Sequence, residues 1–465
     1  MPGPTGYQAA AMHAATASTT RHIPIRLRDL LTLAGPVVAS RLGIMAMGLV
    51  DTLVVGRYSA TELGFLALAW APTSIVLTTA IGLLSGVQVL TSQAIGAGRA
   101  GDTGAILRRG LVYAFWLGIA AIVVLAGPGA LFLQHIGLDP ALSAGAVPAL
   151  RMLALSLLPI LIVDSGIFWL EAHGHPLPGT AAMWGANAVN LALNLWLVPG
   201  HSGLPVAGAV ASGCATLASR TALLGFVAGY ILWWKRSPGL GVFIAPGPDR
   251  TAAGALRRVG YAASLSYAVE SGAFASMTIV AGWLGATAVA SWAIVINLAA
   301  IIFMVPLGLA TATAVLVGRA YGAGDLAGVG RAGLLGFGTA IAATGLICAA
   351  VGLDGRAIAA AYTRDPAVQA ITVAALWLSC LFYVSDGIQV VGAQSLRARG
   401  DIWAPTATHF LSYIGVLIPV GYALAIPLGL GVPGIVWGTI AASAMAATLL
   451  VGRFFWLGRP GAAAP

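Results

Sequence analysis

Long apolar stretches alternate with short polar segments along almost the whole chain. Stretches of about 20 residues or more, the length an α-helix needs to cross a bilayer, lie roughly at 30–56, 65–94, 106–127, 145–171, 179–199 and 205–234. They recur roughly at 254–285, 288–318, 329–350, 367–394, 405–426 and 432–456. This pattern predicts twelve transmembrane helices, with both termini on the same side of the membrane.

The two sets of six are copies of each other. A shift of 226 residues aligns the chain with itself without a gap, and it places Gly56 on Gly282, Gly82 on Gly308, Gly96-Ala97-Gly98 on Gly322-Ala323-Gly324, and Gly174 on Gly400. Internal repeats of membrane helices are typical of transporters, whose two lobes rock about a shared site. The sequence therefore predicts an all-α membrane protein of two six-helix lobes.

The boundaries of these lobes follow from the polar segments. We expect a disordered cytoplasmic tail at 1–29, an N-lobe at 30–234, a cytoplasmic loop between the lobes at 235–253, a C-lobe at 254–457 and a C-terminal tail at 458–465. The first 20 residues are rich in Ala, Thr and Ser and lack the apolar core of a cleaved signal peptide. The first helix should itself direct insertion into the membrane.

Composition and charge agree with this class and orient the chain. With 59% apolar and 8% charged residues and a mean hydropathy of +0.93, the 465 residues cannot form a soluble domain. Of 23 Lys and Arg residues, the predicted outer loops hold only Arg57, Arg151, Arg356 and Arg364. The positive-inside rule therefore predicts a multi-pass protein of the inner (plasma) membrane with cytoplasmic termini. The net charge of +9 reflects this topology and contact with anionic lipid, not nucleic acid.

Enzyme and cofactor motifs are absent from the sequence. The glycines of Gly96–Gly101 fit G-x-G-x-x-G, but no βαβ unit surrounds them, and we interpret them as a tight turn. There is no Walker motif for ATP, and no paired Asp-rich motif that would indicate a membrane prenyl transferase. His173 and His175 have no further ligand cluster beside them, so we expect no transition-metal site. The prediction is a non-enzyme without a cofactor.

Several motifs together resemble a known transporter family. They are Gly48–Gly56 (GLVDTLVVG), Gln93–Gly98 (QAIGAG), Tyr267–Glu270 (YAVE), Asp386–Gly392 (DGIQVVG), and Pro178 followed by Asn190 and Asn194. Spread over about 30–456, they are similar to those of the multidrug and toxic compound extrusion (MATE) family. The resemblance implies a V-shaped exporter of twelve helices that exchanges Na⁺ or H⁺ for organic compounds.

Four acidic residues lie within apolar helices: Asp51, Asp164, Glu270 and Asp386. Each costs about 2.5–3.5 kcal/mol in lipid, so all four should face the interior of the bundle. In the second half, each acid shares one helix face with polar and aromatic residues. Tyr267 and Phe274 share the face of Glu270, and Tyr383 and Gln389 share the face of Asp386.

These buried acids need partners inside the bundle. They could pair with arginines inside the bundle, but the second half has no arginine deep in a predicted helix. An unpaired buried carboxylate takes up a proton or attracts a mobile cation. We therefore expect Glu270 and Asp386 to carry the coupling ion, either H⁺ or Na⁺.

The helix-10 motif departs from the family at one place. The resemblance implies a coordinating tyrosine four residues before Asp386, where this chain has Phe382, with Tyr383 one position later. The hydroxyl is then rotated by about 100°, which favours protons over sodium.

In the first half, Asn190 and Asn194 share a helix face at i and i+4. They can serve Asp51 if helices 1 and 5 adjoin, or they can act as polar contacts between helices. The repeat also places Arg41 on Tyr267, on the side that faces the cavity. Its charge could be neutralised by Asp164, or its side chain could extend to the inner surface.

The sequence thus predicts a monomeric secondary antiporter in the membrane. Its substrates would be organic compounds or drugs, with cations among the candidates. The alternative within the same superfamily is a flippase for lipid-linked oligosaccharides or peptidoglycan precursors. Such proteins often have fourteen helices and an arginine-rich groove, whereas this chain has twelve predicted helices and only Arg41 and Arg220 deep in them.

Overall fold

The computed structural model describes residues 24–135, 139–200, 203–245, 247 and 249–459. They form twelve long helices: α1 (Leu27–Tyr58), α2 (Ala60–Gly96), α3 (Ala100–His135), α4 (Pro140–Ala172), α5 (Leu177–Leu197), α6 (Gly208–Trp233), α7 (Arg250–Trp283), α8 (Ala286–Gly322), α9 (Leu326–Tyr362), α10 (Pro366–Ala398), α11 (Ala404–Ala425) and α12 (Val432–Trp456). The predicted all-α architecture of two six-helix lobes is confirmed.

Capping side chains set the first residues of α1 and α7. Helix α1 begins at Leu27 because the Asp29 carboxylate accepts a hydrogen bond from the Arg26 amide, 3.0 Å away. Helix α7 begins at Arg250 because the Asp249 carboxylate caps the amides of Thr251 and Ala252. Most of the predicted N-terminal tail lies outside the described residues.

By length and composition, ten of the twelve helices are apolar enough to cross a membrane. The other two are α5 and α7. Helix α5 buries Asn187, Asn190 and Asn194, and α7 carries Glu270 and several serines. These two helices are less apolar because they bring polar side chains into the lobes.

The two lobes repeat each other in their capping contacts. The Asp139 carboxylate accepts hydrogen bonds from the first amides of α4, and Asp365 does the same at the start of α10. Just beyond the ends of these helices, Gly174 and Gly400 have φ values of +76° and +93°. Glycine is favoured there because a left-handed residue ends a helix without a Cβ clash.

Three helices depart from regular α geometry. Helix α3 contains a π-helical turn at Leu125–Gly129, around Pro128. The repeat-related part of α9 is kinked at Asp354 (φ −128°, ψ 23°). In α11 a π-helical segment, Phe410–Leu417, leads to Pro419, which has no amide hydrogen to donate. A π segment often marks a functional site, and this one contains Tyr413.

The lobes meet where α1 packs on α8 and α2 packs on α7. A side chain at Gly82 would collide with the backbone of Ser264, and its repeat partner Gly308 lies equally close to Val38. The contact residues lie in the first halves of α1 and α7 and in the second halves of α2 and α8. These halves lie on the side of the protein where the chain begins and ends. We call this face of the protein the terminus side and the opposite face the far side. The lobes therefore meet on the terminus side.

We predict that the glycines at the lobe interface are needed for stability. In Gly260→Ala the new Cβ would collide with the carbonyl of Leu83, so we expect a loss of about 1–3 kcal/mol. Gly272 lies on the same helix in open space, and Gly272→Ala should be neutral or slightly stabilising. Thermal unfolding in detergent compares the two; equal melting temperatures would contradict the prediction.

Candidate coupling sites in the two lobes

The N-lobe holds a buried carboxylate surrounded by neutral donors. Asp51 on α1 is 5% exposed. Its Oδ1 accepts hydrogen bonds from the amide nitrogens of Asn190 (3.1 Å) and Asn194 (2.8 Å), and its Oδ2 accepts one from the hydroxyl of Thr216 (2.8 Å). Three donors satisfy the carboxylate without a cation in direct contact.

This arrangement follows from the spacing on α5. Asn187, Asn190 and Asn194 lie on one buried face of that helix, which packs between α1 and α6. Asn187 donates to the carbonyl of Gly43 at 3.0 Å and so contributes to the contact between α1 and α5. Helices 1 and 5 thus adjoin, which is the condition that the sequence left open.

The amide oxygens of these asparagines can still accept hydrogen bonds. Oδ1 of Asn190 and of Asn194 is buried without a hydrogen-bond partner among the described residues. Both belong to amides whose nitrogens hold Asp51. An unsatisfied buried acceptor is costly, so these oxygens are available to a ligand that brings a donor or a positive charge.

The C-lobe holds two carboxylates that share one amide. Nε2 of Gln389 lies 3.0 Å from Oδ1 of Asp386 and 3.5 Å from Oε1 of Glu270. The hydroxyl of Tyr413 donates to the same Glu270 oxygen at 3.3 Å. In the part of the chain that the structure describes, Oε1 of Gln389 is buried without a partner. The sequence analysis gave Glu270 and Asp386 as coupling residues and placed Gln389 on the stripe of Asp386, but it did not identify Tyr413.

Aromatic side chains form one wall of the C-lobe site. Phe382 is 5% exposed, and its ring lies 6.0 Å from that of Phe274 and 5.5 Å from that of Tyr383. Tyr383 is buried, and its hydroxyl has no hydrogen-bond partner within the described residues. The hydroxyl nearest Glu270 therefore comes from Tyr413 of α11 and not from α10. Tyr267 lies further along α7, where the amide of Gln394 reaches its hydroxyl at 3.4 Å.

Arg41 is paired differently from what the sequence suggested. It is 6% exposed and lies 3.5 Å from Oε1 of Glu171, so its charge neither extends to the surface nor pairs with Asp164. Gln88 donates to the other oxygen of Glu171 at 3.0 Å. The sequence analysis did not single out Glu171, because this residue is at the end of α4.

Asp164 is buried in the interior of the N-lobe. It lies with Arg220 at a cavity of about 20 Å³, which is room for one water molecule. Arg220 donates to the hydroxyl of Ser156 at 2.8 Å. The two residues thus line one small polar pocket.

A buried arginine lies at the end of α10. Arg397 is 3% exposed and donates to the hydroxyl of Ser266 on α7 at 2.7 Å. It lies in the last turn of α10, which the sequence analysis had assigned to a loop. Arg397 is held by a hydroxyl, however, and it forms no ion pair with Glu270 or Asp386 in the described structure.

The two histidines considered as metal ligands, His173 and His175, form hydrogen bonds to neighbouring groups. His173 bonds to the carbonyl of Trp169, and His175 bonds to the hydroxyl of Tyr230. Among the described residues no cluster of three or more His, Cys, Asp or Glu could hold a metal ion.

The fold, two six-helix lobes with buried acidic side chains in each, is that of a membrane transporter. The MatE family model matches residues 36–196 and 262–423, so one match falls in each lobe and together they cover most of the chain. The chain belongs to the MatE family.

Relatives of known sequence extend this assignment. The chain is 50% identical over 433 residues to the probable multidrug resistance protein NorM of Caulobacter vibrioides, with 92% of this chain and 91% of the relative covered. It is 30% identical over 420 residues to the multidrug resistance protein PmpM of Pseudomonas aeruginosa, with 87% and 85% covered.

Solved structures share the fold at lower identity. A transporter of the MOP superfamily from Pyrococcus furiosus is 20% identical with a TM-score of 0.85, and 93% of this chain and 97% of that chain are covered. An outward-facing multidrug resistance MATE family transporter also has 20% identity and a TM-score of 0.85, with 92% and 94% covered. These matches confirm the two-lobe MATE fold.

Proposed function

We propose that this MATE transporter is a secondary antiporter that exports organic compounds, including drugs, in exchange for H⁺ or Na⁺. The observation that carries the proposal is the C-lobe site, where Glu270 and Asp386 share the amide of Gln389. Relatives along most of the chain are named as multidrug resistance proteins, which supports drugs as the substrate class. No cofactor is needed beyond the coupling ion.

The C-lobe site has the chemistry of a coupling centre. Two carboxylates close together repel each other when both are ionised, so one proton or one monovalent cation stabilises the pair. Tyr413 and Gln389 supply neutral hydrogen bonds and no fixed positive charge. Entry of the ion therefore changes the charge of this site, and it can change which arrangement of the lobes is favoured.

The N-lobe site is suited to a second ion. Asp51 is held by three neutral donors, and the oxygens of Asn190 and Asn194 have no partner among the described residues. A monovalent cation beside the carboxylate would gain these oxygens as ligands, whereas a proton would bind to Asp51 itself. Either ion would relieve the cost of a buried charge.

The coupling ion must also supply energy. One monovalent ion that crosses 100 mV releases about 2.3 kcal/mol. Export of a monovalent cation against the same field would cancel this amount and leave only the concentration gradient of the ion. Binding of one ion in each lobe would restore a net driving force.

The orientation is part of the proposal. Among the residues that the structure describes, the ends of α2, α8 and α10 on the terminus side carry Arg99, Arg319, Arg397 and Arg399. The positive-inside rule then places this side in the cytoplasm of a bacterial inner membrane. Both lobes belong to one chain, so a monomer suffices. The flippase alternative has no support from the relatives, which are named as multidrug resistance proteins.

We predict that neutral isosteres at the C-lobe site abolish coupled export. Glu270→Gln and Asp386→Asn keep the size of the side chain but remove its titratable charge, so export should fall to the level of vesicles without protein. Asp354→Asn is the matched control, because this exposed acid on α9 lies outside both sites. Substrate movement in proteoliposomes under imposed pH or Na⁺ gradients measures the effect. Wild-type rates in both C-lobe variants would refute the assignment.

We predict that a pH gradient alone drives export in Na⁺-free vesicles. Phe382 brings no oxygen to the C-lobe site, and protons need no shell of oxygen ligands. Phe382→Tyr would add a hydroxyl on α10 and should increase any dependence on Na⁺. Export that follows Na⁺ and is unchanged across pH gradients would overturn the choice of proton and leave the antiport proposal intact.

We predict that the terminus side is cytoplasmic. Cysteines introduced at the N-terminus, at 100 and at 240 should react only with reagent that reaches the cytoplasmic face. The three native cysteines lie within α6, α9 and α10 and should be replaced first. Labelling of any introduced cysteine by an impermeant reagent added outside intact cells would contradict this orientation.

A further inference from the structure

Two side chains cross between the lobes on the terminus side. Nε2 of Gln93 on α2 donates to the carbonyl of Ala398, the last residue of α10, at 2.8 Å. Nε and Nη2 of Arg319 on α8 donate to the carbonyl of Ala172, the last residue of α4, at 3.2 and 2.6 Å. The repeat places Gln93 on Arg319 and Ala172 on Ala398, so the structure contains the same contact twice. We call these two contacts the crossed latch.

The acceptors of the crossed latch are helix-end carbonyls. The last carbonyls of an α-helix have no amide partner within the helix. Gly174 and Gly400 turn the chain away just beyond Ala172 and Ala398. A donor from the opposite lobe therefore satisfies a carbonyl that its own helix leaves open.

The donors of the crossed latch start from the point where the lobes are closest. A Cβ at Gly322 would collide with the carbonyl of Gln93, and a Cβ at Gly96 would collide with the carbonyl of Arg319. Each latch residue is thus fixed at its backbone by a glycine of the other lobe. Separation of α2 from α8 would therefore pull both donors away from their acceptors.

The charges of the two donors match the helix ends that they cap. The end of α4 contains the buried acid Glu171, and its latch donor is the cation Arg319. The end of α10 contains the buried cations Arg397 and Arg399, and its latch donor is the neutral Gln93. A cation also interacts favourably with the negative end of a helix dipole.

The histidine beside Arg319 supports this charge match. Burial, together with the positive charges of Arg319 and Arg236, lowers the pKa of His173 to about 4. His173 is therefore neutral at cytoplasmic pH and adds no repulsion to Arg319. A protonated histidine at this helix end would oppose the latch.

We infer that Gln93 and Arg319 are positioning residues of the transport cycle, which hold the terminus side closed and must release before that side opens. The inference rests on the alternating-access cycle proposed above. Arg319 forms the stronger of the two contacts, because a hydrogen bond from a charged donor is stronger than one from a neutral amide.

Distances between spin labels test the crossed latch without a transport assay. In a background free of native cysteines, Arg99→Cys and Leu326→Cys report on the terminus side, and Thr61→Cys and Thr287→Cys report on the far side; all four positions are exposed. With Arg319→Gln, we expect the ratio of open to closed terminus side to rise at least about tenfold, the loss expected for one charged hydrogen bond. The far-side distance should shorten at the same time.

Further variants separate a latch from a contact that only adds stability. Gln93→Leu should open the terminus side less than Arg319→Gln, and Arg319→Lys should restore most of the closed state. The exchange Gln93→Arg with Arg319→Gln should stay open, because the guanidinium introduced on α2 would face Arg397 and Arg399. Arg57→Gln on the far side is the control for loss of an arginine and should leave both distances unchanged.

The outcomes of this test are distinct from those of the coupling proposal. Distances in Arg319→Gln and Gln93→Leu that equal those of the wild type would overturn the crossed latch, even if Glu270 and Asp386 prove essential for export. A closed terminus side in the exchanged variant would overturn the charge match. Opened distances in Arg319→Gln support the latch whichever ion drives transport.

Discussion

The backbones of α2 and α8 touch where Gly96 meets the carbonyl of Arg319 and Gly322 meets the carbonyl of Gln93. The rest of the architecture depends on this close approach. Lipid gives no hydrophobic force between helices, so a tight contact requires small residues that let backbones meet. Here the contact also places the ends of α4 and α10 within reach of the opposite lobe. Two of the glycine pairs that made the repeat visible in the sequence, Gly82 with Gly308 and Gly96 with Gly322, thus join the two copies.

The sequence was sufficient for features that depend on one helix at a time. Helix number followed from stretch length, and the shared face of Asn190 and Asn194 followed from helical spacing. Thr216 and Tyr413 could not be predicted, because each reaches its acid from a third helix whose packing no local pattern encodes. Glu171 and Arg397 were not singled out for a common reason. Both lie in the last turn of a helix, where position along the chain does not show whether a side chain is buried, and both are buried by tertiary packing.

The two acidic sites differ although the lobes are copies. Asp51 has its hydrogen bonds satisfied by neutral groups, so its charge is tolerated without an ion. Glu270 and Asp386 share one amide and cannot both be ionised without repulsion. The two copies of the fold therefore hold their buried acids differently, with three neutral donors in the N-lobe and with one shared amide and a tyrosine hydroxyl in the C-lobe.

The π-helical segment of α11 gives the site of Glu270 a degree of freedom that no other described contact provides. A π-helical turn holds one more residue than an α-turn, and Tyr413 lies within this wide turn. If the turn tightened to α geometry, residues on one side of it would rotate by about 100°. The hydroxyl would then leave the carboxylate while both lobes kept their positions. The hydrogen bond between Tyr413 and Glu270 therefore depends on the register of a single helix.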